Sequence, residues 1–173
     1  MNKIFDLVVR YTLIVILGLG NLFIFYKIFY PLTFYLSGFM LSMFGDIRLF
    51  YVSEIILYNQ TAVSLIDACV AGSAYYLLFI LALSIPNIKS IKRLKILVLS
   101  FSILLVVNIF RIVFMTLIAR QSYFDVVHMA FWYALSLIFV ICIWFFMVKI
   151  FNIKEIPIYS DYKFLLKQAK KTK

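Results

Sequence analysis

Residues Ile96-Leu-Val-Leu-Ser-Phe-Ser-Ile-Leu-Leu-Val-Val-Asn-Ile-Phe-Arg-Ile-Val-Phe-Met-Thr-Leu-Ile-Ala119 decide how this chain reads. The run is long enough to cross the roughly 30 Å hydrocarbon core of a bilayer, which takes about 20 apolar residues. Yet it holds Asn108 and Arg111, two groups that lipid penalises. The rest of the chain has the same character. Of 173 residues, 66% are hydrophobic and only 14% are charged, against about 25% charged in an ordinary soluble domain. At this length a water-soluble fold cannot hide so much apolar surface. That excludes a soluble globular enzyme, a disordered tail and a disulfide scaffold. The two cysteines, Cys69 and Cys142, are too few for a disulfide framework.

Working outward, four more apolar stretches are expected to span or approach a membrane: Leu7 to Tyr26, Ile28 to Phe44 (with Pro31 as a start signal), Ala68 to Ile85, and Val126 to Val148. Arg10, near the start of the first, is expected to snorkel to the interface. Residues Ile47 to Asp67 differ. Polar interruptions and β-branched residues predict a small strand-like lid, with Asn59-Gln60 as its turn. The expected fold is therefore an all-α polytopic membrane protein of four or five transmembrane helices with a small extracytoplasmic β-like segment. Residues 1–148 form its membrane domain, and 149–173 form a basic cytoplasmic tail.

The net charge of +10 is distributed as an orientation signal rather than as a nucleic-acid surface. Lys89, Lys92, Arg93 and Lys95 form a basic loop, and seven further lysines lie at or after Lys149. The positive-inside rule puts both on the cytoplasmic side. The start of the Ala68 stretch, the end of the Ile96 stretch and the start of the Val126 stretch then share the outer face. If Ile28 to Phe44 crosses, the N-terminus is outside; if not, it is inside.

Three polar groups meet at that outer face: Cys69, Arg111 and His128, the one histidine of the chain. A thiolate is a strong nucleophile, and an adjacent imidazole can take its proton and return it to a leaving amine. A guanidinium is always charged and can stabilise an oxyanion. Asn108 shares a helical face with Arg111 and is a supporting candidate. Asp125 reads as a helix N-cap that could also orient His128. Cys142, among Ile, Val and Trp, reads as inert packing. No metal or cofactor is expected, since one His and two separated Cys cannot fill a usual zinc shell. Each residue alone has a bland explanation as packing or an interfacial group, and their joint placement carries the weight.

At Asp67-Ala-Cys-Val-Ala-Gly72, Asn108-Ile-Phe-Arg111 and His128, the chain resembles the exosortase/archaeosortase superfamily of membrane transpeptidases, most of all its short archaeal branch, the pacearchaeosortases. The resemblance spans roughly Pro31 to Val148. It implies that Cys69 is the nucleophile, that Arg111 supports the transition state and that His128 handles protons. It also implies a multi-pass cell-membrane enzyme of archaeal type that cleaves the C-terminal sorting signals of membrane-anchored surface proteins. Such signals comprise a short motif, an apolar helix and a basic cluster. The surface protein is then transferred to a lipid or other acceptor. The chain departs from the family where Val70-Ala71-Gly72 follows the cysteine in place of the more usual Ser-Gly, which bears on the local helix-start geometry. The alternative from another class is a non-enzymatic transporter subunit or assembly factor, using Arg111 and His128 to bind an anion or a proton.

Overall fold

The computed structural model describes residues 3–20, 22–132 and 136–171. Two helices, α1 (Lys3–Leu19) and α2 (Phe23–Leu41), lead into a sheet of β1 (Ile47–Phe50), β2 (Ile55–Tyr58) and β3 (Thr61–Ser64). A single helical turn, α3 (Asp67–Val70), precedes α4 (Gly72–Leu83). Then come the long α5 (Ser90–Ile118), the short α6 (Phe124–Ala130), α7 (Ser136–Ile150) and α8 (Tyr159–Lys171).

The count of four or five spanning helices is not reproduced among the described residues. Among the described residues, two helices are long and apolar enough to cross a membrane: Phe23–Leu41 and Ser90–Ile118. Two of the other apolar stretches are cut at residues with positive φ. The stretch Leu7 to Tyr26 is divided between α1 and α2, with Leu22 in the left-handed region at φ 58°; its Asn21 lies outside the described residues. The stretch from Ala68 is broken at Ala71, φ 61°. That leaves a 12-residue α4, roughly 18 Å long. In the stretch Val126 to Val148 the described residues form the 7-residue α6, a helical continuation at 131–132 and the 15-residue α7; residues 133–135 lie outside the described residues. The helix α2 also begins eight positions before Pro31 and runs through it, at the cost of one backbone hydrogen bond to the carbonyl four residues back.

The strand-like segment is an antiparallel sheet in the order β1-β2-β3. Leu49, Ile56 and Val63 lie opposite one another across it. Asn59 and Gln60 make the β2–β3 turn with φ of 41° and 67°. Two positive-φ residues in a two-residue loop match the right-handed twist of the flanking strands. The sheet lies along α2. A Cβ placed on Gly38 would stand 2.8 Å from the Leu49 side chain, and Tyr51 stacks on Tyr35 at 5.5 Å.

The helix α5 is the common wall, packing against α2, α4 and α7. Its Phe101 meets the edges of Phe29 and Tyr75, whose rings stack 3.7 Å apart. Such aromatic pairs add about 0.5–1.5 kcal/mol each beyond their burial. Contacts along α4 run opposite to both neighbours. Tyr75 faces Phe101, while Ile85, just beyond α4, accepts a 2.9 Å bond from Arg93 near the start of α5. Tyr76 reaches the Ile14 carbonyl at 2.8 Å and Arg10 reaches the Leu83 carbonyl at 2.7 Å.

The bundle therefore has two polar ends. At one, Arg10 is buried (4% exposed) rather than snorkelling. It forms a two-pronged pair with Asp161 of α8, both bonds 2.9 Å, and a third bond to Asp6 at 2.9 Å. This pair ties the basic C-terminal segment to α1. The other end carries Arg111. Arg93 and Arg111 are 18 positions apart on α5, roughly 27 Å along its axis.

Two stability outcomes follow. Replacing Asp161 with Ala leaves the buried Arg10 guanidinium with Asp6 as its remaining carboxylate and is expected to destabilise the fold by about 1.5–3 kcal/mol, read as a lower midpoint of denaturant unfolding in micelles. Ala71 holds a left-handed conformation that costs a non-glycine residue roughly 1–2 kcal/mol. Ala71→Gly is therefore expected to raise the thermal midpoint, and an unchanged or lower midpoint would contradict the strained bend.

Candidate active site

The chain after β3 enters α3 through Ile66, whose carbonyl accepts the Cys69 N–H at 2.8 Å. The turn ends at Ala71, which takes the left-handed bend. Gly72 after it lies against the Tyr26 ring of α2: a Cβ there would stand 2.6 Å from that ring and would have to push it aside. Cys69 is held from the other side by Asn108, whose amide N–H donates to the Cys69 carbonyl at 2.8 Å.

Arg111 lies one turn beyond Asn108 on α5. Its guanidinium is in hydrogen-bond range of the Cys69 side chain. At its far end α5 is fastened to the sheet. Arg120 donates to the Thr61 hydroxyl at 2.8 Å and to the Asn59 carbonyl at 2.9 Å. The chain then turns into α6, which carries His128 between Phe124 (ring centroids 5.4 Å) and Trp132 (6.1 Å).

Cys69, Arg111 and His128 line one cavity of about 210 Å³. The strand β3 and its continuation through Ile66 form one wall, α5 a second and α6 a third. Most lining side chains are apolar, among them Ile66, Ile112, Met115 and Phe131. Cys69 is half-buried, and His128 is exposed.

Burial pushes the Cys69 thiol up, and the nearby Arg111 charge pulls it partly back, so it titrates above the ordinary thiol range. A helix dipole has little to act through here, because α3 is four residues long. The electrostatic help comes from Arg111.

Not every sequence candidate joins the cavity. Asp125 is exposed and absent from the lining. It does not cap the helix either: Tyr123 holds the N-cap position, without a side-chain cap bond. His128 lies in the last turn of the short α6, not in the first turn of a long span. Cys142 is exposed on α7, away from the cavity. No cluster of three metal-ligating side chains occurs among the described residues. Phe124 and Trp132 were not singled out by their chemistry. Their spacing of four residues on either side of His128 is a same-face signal that could have found them. Comparison with protein-family models, with curated proteins and with solved structures finds no match to this chain.

The raised thiol titration has a direct readout. Alkylation of Cys69 by iodoacetamide, resolved from Cys142 by peptide mass spectrometry, is expected to rise with pH with a midpoint above that of free cysteine, near 8.5. Arg111→Gln removes the charge that favours the thiolate, so the midpoint should move further up. A midpoint that falls or stays in place would contradict the Arg111–Cys69 contact.

Proposed function

We propose that this chain is a membrane-embedded cysteine peptidase or transpeptidase of the exosortase/archaeosortase kind. The observation that supports it best is the convergence of Cys69, Arg111 and His128 on one mostly apolar cavity, from three elements distant in sequence. In this reading the two candidate spans, α2 and α5, hold the protein in the cell membrane. The basic residues from Lys89 to Lys95 mark the cytoplasmic end of α5. The Arg111 end, roughly 27 Å away along the helix, opens on the extracytoplasmic face.

The chemistry runs as acyl transfer. His128 takes the proton of the Cys69 thiol, and the thiolate attacks a substrate carbonyl to form the C–S bond. Charge develops on the carbonyl oxygen, where Arg111 donates hydrogen bonds. Collapse breaks the C–N bond, and the leaving amine takes its proton from His128. The thioester on Cys69 is then released by an amine, by a hydroxyl of a lipid-linked acceptor, or by water. Asn108 acts on the backbone of Cys69 and positions it. The substrate is a membrane-anchored surface protein bearing a C-terminal motif, apolar helix and basic cluster.

The test is co-expression with such a surface protein encoded in the same genome, with processing followed by gel mobility. Cys69→Ala should reduce processing to background while the protein still fractionates with the membrane. Arg111→Gln should slow it by about 10²–10³-fold, the usual loss for an oxyanion donor. Normal processing by Cys69→Ala would sink the mechanism.

A further inference from the structure

We propose that the free edge of β3 receives an extended peptide segment as a fourth strand, aligning its backbone with Cys69; this rests on the thiol reading above. The sheet order makes β3 an edge. Leu65 donates to the Glu54 carbonyl at 2.8 Å, which closes the β2–β3 ladder. Antiparallel pairs alternate between bonded and non-bonded positions. With Leu65 and Glu54 bonded, the register makes Val63–Ile56 and Thr61–Tyr58 the bonded pairs. The N–H and C=O groups of Ala62 and Ser64 therefore point out of the free edge, and no described hydrogen bond engages them.

That edge adjoins the cavity. Val63, Ser64, Leu65 and Ile66 line it in unbroken succession. Side chains along extended chain point alternately to opposite faces, so a cavity touched by consecutive residues lies against the edge rather than against one face. A row of alternating backbone donors and acceptors is matched by another peptide backbone, the mode known as strand addition. Charge narrows the occupant further. Apart from His128, Arg111 is the one charged group among the lining residues. It suits an uncharged, apolar peptide whose carbonyl oxygen approaches the guanidinium. Cys69 follows Ser64 by five residues, so a strand seated on this edge leads directly to the thiol.

Ser64→Pro tests the edge. Its N–H faces outward, so proline removes an edge donor without breaking the β2–β3 ladder. The probe is acetyl-Val-Thr-Val-Val chloromethyl ketone, applied to the full chain in micelles in a Cys142→Ser background. The Cys69 C–S bond forms as chloride leaves. Ser64→Pro should slow this labelling about tenfold or more, while iodoacetamide alkylates Cys69 at an unchanged rate. On the protein with Ser64 intact, backbone N-methylation of the probe should cause a similar loss, a readout independent of how Ser64→Pro folds. Equal labelling of Cys69 by methylated and unmethylated probes would overturn strand addition alone. A Cys69 that resists even iodoacetamide would overturn the thiol reading, and this inference with it.

Discussion

Gly72 lets the Tyr26 ring lie where a side chain would otherwise stand, and much of the site geometry depends on that contact. Here α4 begins against α2, and the chain entering it bends at Ala71. The bend sets Cys69 off the axis of α4 and turns its carbonyl toward Asn108. One turn further along α5, Arg111 reaches the thiol side. Without the bend, Cys69 would lie within a continuous helix, with its carbonyl committed to a helical hydrogen bond and unavailable to Asn108.

The same economy governs the far end. Lysine, arginine and aspartate are costly away from water, so they occur where they meet a partner. Arg10 is buried and satisfied by Asp161, Asp6 and the Leu83 carbonyl. The bundle thus has a neutralised polar end and, along α5, an end where Arg111 opens onto a cavity. Opposite roles for two arginines follow from their surroundings rather than from their chemistry.

How much of this could be read from residue order depends on the kind of signal. Cys69, Arg111 and His128 stand out because an apolar chain makes each polar group conspicuous, and all three prove to line one cavity. The turn at Asn59-Gln60 was visible through its residue types. The span count was over-read. Hydropathy sees Ala68 to Ile85 as one run, but the break lies at an alanine with positive φ, and alanine carries no breaker signal. Between α1 and α2 the positive φ also falls on an apolar residue, Leu22, but there Gly20-Asn21 before it is a turn signal that hydropathy passes over. The Arg10–Asp161 pair joins positions 151 residues apart, beyond any local pattern. Asp125 has the residue type of a cap, but the helix starts two residues earlier than that role requires.

The proposed acyl transfer passes through a covalent intermediate at Cys69. Its most direct measurement is intact-protein and peptide mass spectrometry of the full chain, quenched in acid during turnover of a surface-protein substrate. A substrate-derived adduct is expected on the peptide holding Cys69, removed by neutral hydroxylamine as a thioester is. Substrate consumed with no adduct at Cys69, or an adduct that survives hydroxylamine, would contradict the proposed acyl transfer.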